Sequence, residues 1–369
     1  MKLAFLVLSS LILMTFLSGT SLASECTENA VTAKIINVYS DIENCDVTIQ
    51  STEDIQDMKL EIQLEHEGKI LDRRVLAIST VSASSNSIKA FQWDTENKDD
   101  GKFTVRSKLL KDECTLDTNT YTFANGRQIL PRITVDDFVA NSEGFSVIIT
   151  PLKAVLVDVE YMLLDGDDVV FMDTVEKIAL HTQPLEVSKN WNTILTDEKQ
   201  YIGRVKVKMH SPSENYIVAV KDFTAKDDVF ISDTYKDEIG ASATIDGISQ
   251  VPFAGLVKFT VSQEDDGNEK IVESINSKSP ILLGGDDETV EAIWEEKLPE
   301  GIYKLNIDVI GNSGDVLDMR ETIIEAEAAK AIPETTTEEE NTEESPGFLN
   351  THSGLMIIAS IFVLRKNRK

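Results

Sequence analysis

The chain has 369 residues, of which 64 are acidic and 35 are basic, so its formal net charge is −29. A surface this acidic repels nucleic acids and anionic lipids, and we therefore exclude a nucleic-acid partner. The length is too great for one small domain, and the 41% hydrophobic content is sufficient to build packed cores.

Residues 1–23 are predicted to be a secretory signal peptide. Lys2 precedes an apolar run from Leu3 to Leu17, and Ser21 and Ala23 supply small residues at the −3 and −1 positions of a cleavage site. The alternative is a retained membrane anchor, but the run is shorter than the roughly 20 residues that a spanning helix needs. We therefore expect an exported protein.

Residues 26–328 contain one pattern three times. Each copy opens with an alternating apolar strand, reaches a turn glycine and then reaches a tryptophan, with Gly-to-Trp spacings of 25, 25 and 27 residues. A second alternating strand then follows another glycine. The glycines are Gly68, Gly166 and Gly267, followed by Gly101, Gly203 and Gly301; the tryptophans, the only three in the chain, are Trp93, Trp191 and Trp294. The repeat predicts three domains at 26–128, 129–232 and 233–328.

Period-2 alternation with frequent turn signals predicts an all-β fold. In the first copy we predict strands near 31–39, 45–51, 58–65, 69–76, 86–92, 102–110 and 119–125. Roughly seven strands in about 100 residues is the count of an immunoglobulin-like β-sandwich, so three tandem sandwiches are expected. The tryptophan followed by Gly-x-aromatic resembles immunoglobulin-like modules of prokaryotic surface proteins, which implies a fold and no function.

The tryptophans are predicted to fill the space between the two sheets of each sandwich. Each stands at the end of an alternating strand, in the same register in all three copies, as a large core aromatic would. The alternative is a series of exposed platforms on which sugar rings stack. Burial of the indoles decides between the two hypotheses.

The three cysteines, Cys26, Cys45 and Cys114, all lie in the first copy, where an exported chain can form a disulfide. Three pairings are possible. Successive strands of a sandwich run in opposite directions. The positions of Cys26, before the first strand, and Cys114, between the sixth and seventh, therefore fall at one end of the sandwich. Cys45, at the start of the second strand, falls at the other end, one strand length away. We therefore favour Cys26–Cys114 and expect Cys45 to be a free core thiol.

No motif for catalysis, cofactor binding or metal binding is present, and we expect a protein that is not an enzyme. The four histidines, His66, His181, His210 and His352, follow no zinc-ligand spacing. Acidic turns such as Asp165–Asp168 are an alternative calcium site, but they lack the spacing of a dedicated calcium loop. Hairpin turns also favour Asp and Gly for conformational reasons.

Residues 331–345, AIPETTTEEENTEES, are predicted to be a disordered spacer. The segment is rich in Thr and Glu, and Ile332 is its only large apolar residue. Such a composition cannot bury a core, and repulsion between like charges extends it.

Residues 346–369 combine Pro346-Gly347-Phe348, an apolar run from Leu355 to Leu364 and a basic end. Basic residues after a span stay on the cytoplasmic side, so the rest of the chain is expected outside. Together with the spacer, this order resembles the PGF-CTERM sorting signal of archaeal surface proteins. The resemblance implies that an archaeosortase removes the tail and that a lipid anchors the new C-terminus; without processing, the tail is a transmembrane helix.

These features predict an archaeal protein at the outer face of the membrane, held by its C-terminus, with a structural or adhesive role in the envelope, as in an S-layer. The alternative is a surface module that binds a glycan, a peptide or Ca²⁺ through its sandwich loops. Expected partners are the membrane, the processing enzyme, and envelope proteins or glycans.

Overall fold

The structure, a computed structural model, describes residues 32–96, 99–126, 132–210, 215–265 and 268–327. The signal peptide, Cys26, the spacer and the sorting segment of the sequence predictions lie outside these ranges. The described residues are all-β, with 21 strands and no helix, which confirms the all-β part of the predicted fold class. They accordingly contain no helix capable of crossing a membrane.

The first seven strands are those predicted from alternation in the first copy, with ends that differ by a few residues. They are β1 (Ala33–Ser40), β2 (Asn44–Ser51), β3 (Ile55–His66), β4 (Lys69–Val81), β5 (Asn86–Gln92), β6 (Gly101–Lys111) and β7 (Cys114–Asn125).

The second and third copies each supply seven further strands. The second contains β8 (Ile133–Ala140), β9 (Gly144–Pro151), β10 (Val155–Asp165), β11 (Asp168–Leu180), β12 (Leu185–Asn190), β13 (Gln200–Met209) and β14 (Asn215–Thr224). The third contains β15 (Val229–Lys236), β16 (Gly240–Gly247), β17 (Leu256–Asp265), β18 (Asn268–Lys278), β19 (Asp287–Ile293), β20 (Gly301–Ile310) and β21 (Val316–Ala326).

Each copy folds as a sandwich of a three-stranded and a four-stranded sheet around its own core. The strand orders are β1-β2-β5 and β4-β3-β6-β7, then β12-β9-β8 and β11-β10-β13-β14, then β15-β16-β19 and β18-β17-β20-β21. In all three, the fourth strand pairs with the third, whereas a constant-type immunoglobulin domain places it in the other sheet.

All three tryptophans are buried, which confirms their core assignment and excludes the sugar platforms. Trp93, Trp191 and Trp294 are 7%, 1% and 4% exposed. The indole of Trp191 packs among Phe145, Tyr161 and Phe171.

Corresponding corners, which differ in the indole acceptor, hold the tryptophans in place. The side chain at the turn between the first two strands accepts backbone N–H groups two and three residues ahead, and the indole N–H donates to the same corner. The turn residues are Asp41, Asn141 and Asp237; the indole acceptors are Ser40 Oγ, Asn141 O and Asp237 O. The sequence repeat is therefore a repeat of hydrogen bonds as well.

Strand register fixes which residues are equivalent between copies. The core pairs Leu60–Leu109, Val157–Met209 and Val257–Val309 occupy the same place in the third and sixth strands. By this register Gly203 matches Phe103 and Tyr303, not Gly101 and Gly301 as the spacing had indicated. A Cβ at Gly203 would lie 2.3 Å from the Cβ of Ala140, so close packing requires the glycine there.

The start of the third sandwich differs from its predicted boundary. β15 begins at Val229, so the boundary between residues 232 and 233 falls inside a strand. A β-bulge between Ile231 and Asp233 recurs at the equivalent place in β1 and β8, so the predicted boundary cuts through a strand that all three copies share. The boundary between residues 128 and 129 lies outside the described residues.

Candidate functional site

The most elaborate polar arrangement in the described residues lies between the first and second sandwiches. The edge strand β5 pairs with the edge strand β11 at Lys89 and Asp168, and the Ala90 N–H donates to the Asp167 carbonyl at 3.0 Å. The two sheets thereby join into one seven-stranded sheet. Side chains of β2 also contact β13, so this sheet folds over and its two parts face each other.

A buried carboxylate of the first sandwich lies at the centre of this interface. Asp46 accepts a hydrogen bond from Arg204 Nη2 at 2.8 Å. It also forms an ion pair with Lys206, whose Nζ lies 3.1 Å from Asp46 Oδ1. Arg204 Nη1 also donates to the Cys45 carbonyl at 2.9 Å, and Lys206 reaches Glu160 at 2.7 Å. The charges of two cations and two carboxylates therefore cancel in this network, in which Asp46 and Arg204 are almost wholly buried.

Two tyrosines close one side of this ionic network. The rings of Tyr39 and Tyr216 lie 4.9 Å apart, and Lys206 Nζ lies 5.2 Å from the first ring and 5.9 Å from the second. Burial, together with the neighbouring Asp41, raises the pKa of Tyr39 far above its ordinary value. The hydroxyl therefore stays neutral and donates to Asp41 Oδ2 at 3.0 Å.

The other side of the interface is apolar. Ala90 of β5 packs with Met162 and Leu164 of β10, with Val169 and Ile202 beside them. At its margin Lys89 Nζ lies 2.5 Å from Asp168. Removal of these side chains from water contributes the hydrophobic part of the docking energy.

The equivalent positions in the other two sandwiches carry different residues. Lys206 corresponds to Arg106 in the first copy and Asn306 in the third; Arg204 corresponds to Thr104 and Lys304. The side chains of Arg106 and Lys304 are 59% and 38% exposed, whereas those of their equivalents Lys206 and Arg204 are 6% and 1% exposed. The buried network therefore belongs to one junction and is not a general property of the repeat.

Two clefts border the interface. One, of about 200 Å³, is lined by Phe91, Leu164 and Ile202 with the polar residues Asn44, Arg74 and Arg204. The other, also of about 200 Å³, is lined by Asp46, Glu160, Met172 and Lys206. Both are smaller than the roughly 300–1,000 Å³ of typical small-molecule sites.

The junction between the second and third sandwiches combines hydrogen bonds with an apolar contact. Across it, Ser313 of the third sandwich donates to Glu198 of the second, the Asn312 side-chain amide donates to Asp197, and Val251 packs into the core of the second sandwich. In the segment that joins the two sandwiches, Asp227 Oδ2 accepts the Asn312 N–H at 2.8 Å. Burial raises the pKa of Asp227, the Asn312 N–H opposes this, and the charge of Asp197 adds to the rise. An acidic cleft of about 300 Å³ lies beside this junction.

Two carboxylates of the acidic turn Asp165–Asp168 form ion pairs. Asp165 lies 2.5 Å from Lys199, and Asp168 pairs with Lys89. Among the described residues, no three His, Cys, Asp or Glu side chains are grouped so that they could hold a metal ion.

The described histidines lie apart from one another. His66 stacks on Phe103 at 4.3 Å, and its Nδ1 lies 3.1 Å from the Lys102 carbonyl. His210 Nε2 lies 2.8 Å from Asp158 Oδ2 at the end of β13, and this pair lines none of the clefts above. Burial acts to raise the pKa of Asp158, but bonds from the Lys177 N–H and His210 outweigh it and lower that pKa.

Of the residues singled out in the sequence, Cys45 contributes its carbonyl to the buried network. Pro346, Gly347 and Phe348 are outside the described residues. Cys45 is buried and free, and burial raises the pKa of its thiol. Cys114 begins β7 while Cys26 is outside the described ranges, so the Cys26–Cys114 pairing stays a prediction.

The buried network was not anticipated, although one signal for it exists. Tyr161 to Leu164 are four consecutive apolar residues in a strand, and all four are buried. Such a run indicates a strand that is covered on both faces.

These features define an all-β protein of serial sandwiches, joined at one junction by a buried ionic interface. No family model matches the chain, and no curated protein matches it. Among solved structures it is similar to a tetra-tandem repeat from the extending region of a large adhesion protein (11% identity, 80% of this chain and 74% of that one, TM-score 0.23).

Two further structures are similar at the same level. A DUF4785 family protein from Legionella pneumophila has 9% identity, covers 78% of this chain and 85% of its own, and gives a TM-score of 0.26. An Escherichia coli alpha-2-macroglobulin has 10% identity over 81% of this chain and 22% of its own, with a TM-score of 0.20. TM-scores this low carry no argument about function.

Proposed function

We propose that this chain is an exported, C-terminally anchored archaeal surface protein of tandem immunoglobulin-like modules, with a structural or adhesive role in the cell envelope. One observation carries the structural role. The network around Asp46, Arg204 and Lys206 fixes the first sandwich against the face of the second. Burying charge in this way supports a fixed arrangement rather than a freely jointed string of modules.

The proposed location rests on the sequence at the two ends of the chain. Residues 1–23 direct export, and Pro346-Gly347-Phe348 with the basic tail directs anchoring. The Thr/Glu-rich spacer at 331–345 holds the sandwiches away from the membrane. The membrane and an archaeosortase-like enzyme are the partners that this arrangement requires.

Mass spectrometry of the protein extracted from its native envelope tests the location. We expect an intact mass that lacks residues 1–23 and the basic tail. A full-length mass with recovery of the protein from the soluble cell fraction contradicts both export and anchoring. Envelope protein that still ends at Lys369 contradicts processing alone.

A ligand-binding module is the second candidate, favoured by the cleft that Arg74, Arg204 and Phe91 line between the first two sandwiches. An apolar floor beside the partly exposed guanidinium group of Arg74 suits a small carboxylate. Ligand-observed NMR with a panel of small carboxylates tests this function. Binding that Arg74→Ala abolishes supports it, and no binding by the wild-type protein removes it.

A further inference from the structure

The outward face of the sheet β4-β3-β6-β7 is basic, although the protein is strongly acidic. We define this basic face by Lys59, Arg73, Arg106 and Lys108, which lie around Glu61 and Glu65 in the strand register. Arg73 pairs with Glu61 at 3.4 Å and Arg106 with Glu65 at 2.9 Å. Lys59 and Lys108 have no ion-pair partner among the described side chains, so the face carries an excess of positive charge.

The outward face of the sheet β15-β16-β19 has the opposite charge. We define this acidic face by Asp246, Asp287 and Glu291 with the exposed apolar residues Phe230, Tyr235 and Ile293. No described Lys or Arg forms an ion pair with its three carboxylates. Apolar residues exposed on one face beside unpaired charge are typical of a surface that binds a partner.

The interface inside the chain shows how two such faces fit together. There the three-stranded sheet of one sandwich supplies the carboxylate of Asp46, and the four-stranded sheet of the next supplies Arg204 and Lys206. By strand register, Arg106 occupies the position of Lys206 on the basic face. Tyr235 occupies the position of Tyr39 on the acidic face, and both hydroxyls donate to the aspartate two residues ahead at 3.0 Å.

We propose that the acidic face on the third sandwich of one chain binds the basic face on the first sandwich of a second copy. The charges of this contact are arranged as in the internal interface, with carboxylates on the three-stranded sheet and cations on the four-stranded sheet. Because the two faces are different surfaces of one molecule, the contact is heterologous and copies add head to tail. This self-association goes beyond the proposed function and does not depend on where the chain is anchored.

Sedimentation of the full-length chain in a mild detergent, over a range of protein concentrations, tests the proposal. We expect a weight-average mass that rises with concentration past that of a dimer. Lys59→Glu/Lys108→Glu is expected to leave a monomer, because it reverses the two unpaired cations and breaks no internal ion pair. The matched control Lys258→Glu/Lys278→Glu, on the four-stranded sheet of the third sandwich, is expected to associate like the wild type.

A charge-swap experiment separates direct contact from other effects. Asp287→Lys/Glu291→Lys alone is also expected to be monomeric, and mixing it with Lys59→Glu/Lys108→Glu is expected to restore association. Assembly that persists in the Lys59→Glu/Lys108→Glu variant overturns the proposal, since it reflects the shared tail or another surface. So does a wild-type protein that stays monomeric or stops at a dimer, or a mixture of the two reversed variants that fails to associate.

Discussion

The second and third sandwiches have inner faces that are similarly apolar and outer faces that are very different. Tyr161, Val205 and Val207 fill the core of the second sandwich, as Val261, Leu305 and Ile307 fill that of the third. On the outer face of the same strands, Arg204 is buried against the first sandwich, whereas Lys304 is partly exposed and pairs with Glu321 at 2.8 Å. A repeat therefore preserves the residues that fold each module and varies the residues that join modules.

Removal of the central carboxylate is the strongest way to test this difference. Asp46→Ala leaves Arg204 and Lys206 buried without their shared partner, and breaking a buried ion pair costs about 3–5 kcal/mol. We expect that loss in the free energy of unfolding, measured by chemical denaturation. Ser242, at the equivalent position in the third sandwich, supplies the control, and Ser242→Ala is expected to change the stability by less than about 0.5 kcal/mol.

The inner faces should respond alike in the two copies. Trp191→Ala and Trp294→Ala each remove a buried indole and the hydrogen bond at its corner, at an expected cost of about 3–5 kcal/mol. Denaturation followed by the fluorescence of the remaining tryptophans measures both. A Trp294→Ala variant as stable as the wild type would show that the corners are not equivalent.

Asp237 of the third sandwich and Asp227, just before it, should affect stability with opposite dependence on pH. Burial acts to raise the pKa of Asp237, but the Ile239 and Gly240 N–H groups outweigh it, so that pKa is lowered. Its stabilising contribution is therefore present above the ordinary aspartate pKa of about 3.9 and is lost as the pH falls through the folded value. The pKa of Asp227 is raised, so its stabilising contribution is present in acid and is lost as the pH rises through the folded value.

Substitution by asparagine separates these two effects. Asp237→Asn is expected to lower stability at neutral pH and to reduce the loss in acid, since Asn141 makes the same corner with a neutral side chain. Asp227→Asn is expected to raise stability at neutral pH. Thermal unfolding between about pH 3 and pH 7 measures both, and equal responses of the two variants would contradict the assignment.

The inner face of each sandwich could be predicted from the sequence, and the outer contacts could not. Alternation and the tryptophan period identify Trp191 as a core residue because local chain geometry determines which face a side chain occupies. The alternation also identifies Arg204 as an outward residue, but the sequence around it does not indicate whether another module covers it. Asp46 lies 158 residues before Arg204, and the sole local indication is that Met162 and Leu164 are apolar on a face expected to be polar.

A double-mutant cycle between Asp46 and Arg204 tests the central claim, that the first sandwich docks on the second through this contact. The free energies of unfolding of the wild type, Asp46→Ala, Arg204→Ala and the double variant are measured under one condition. The buried contact predicts a coupling energy of about 1–3 kcal/mol, whereas changes that add to within about 0.5 kcal/mol would show that the two side chains do not interact.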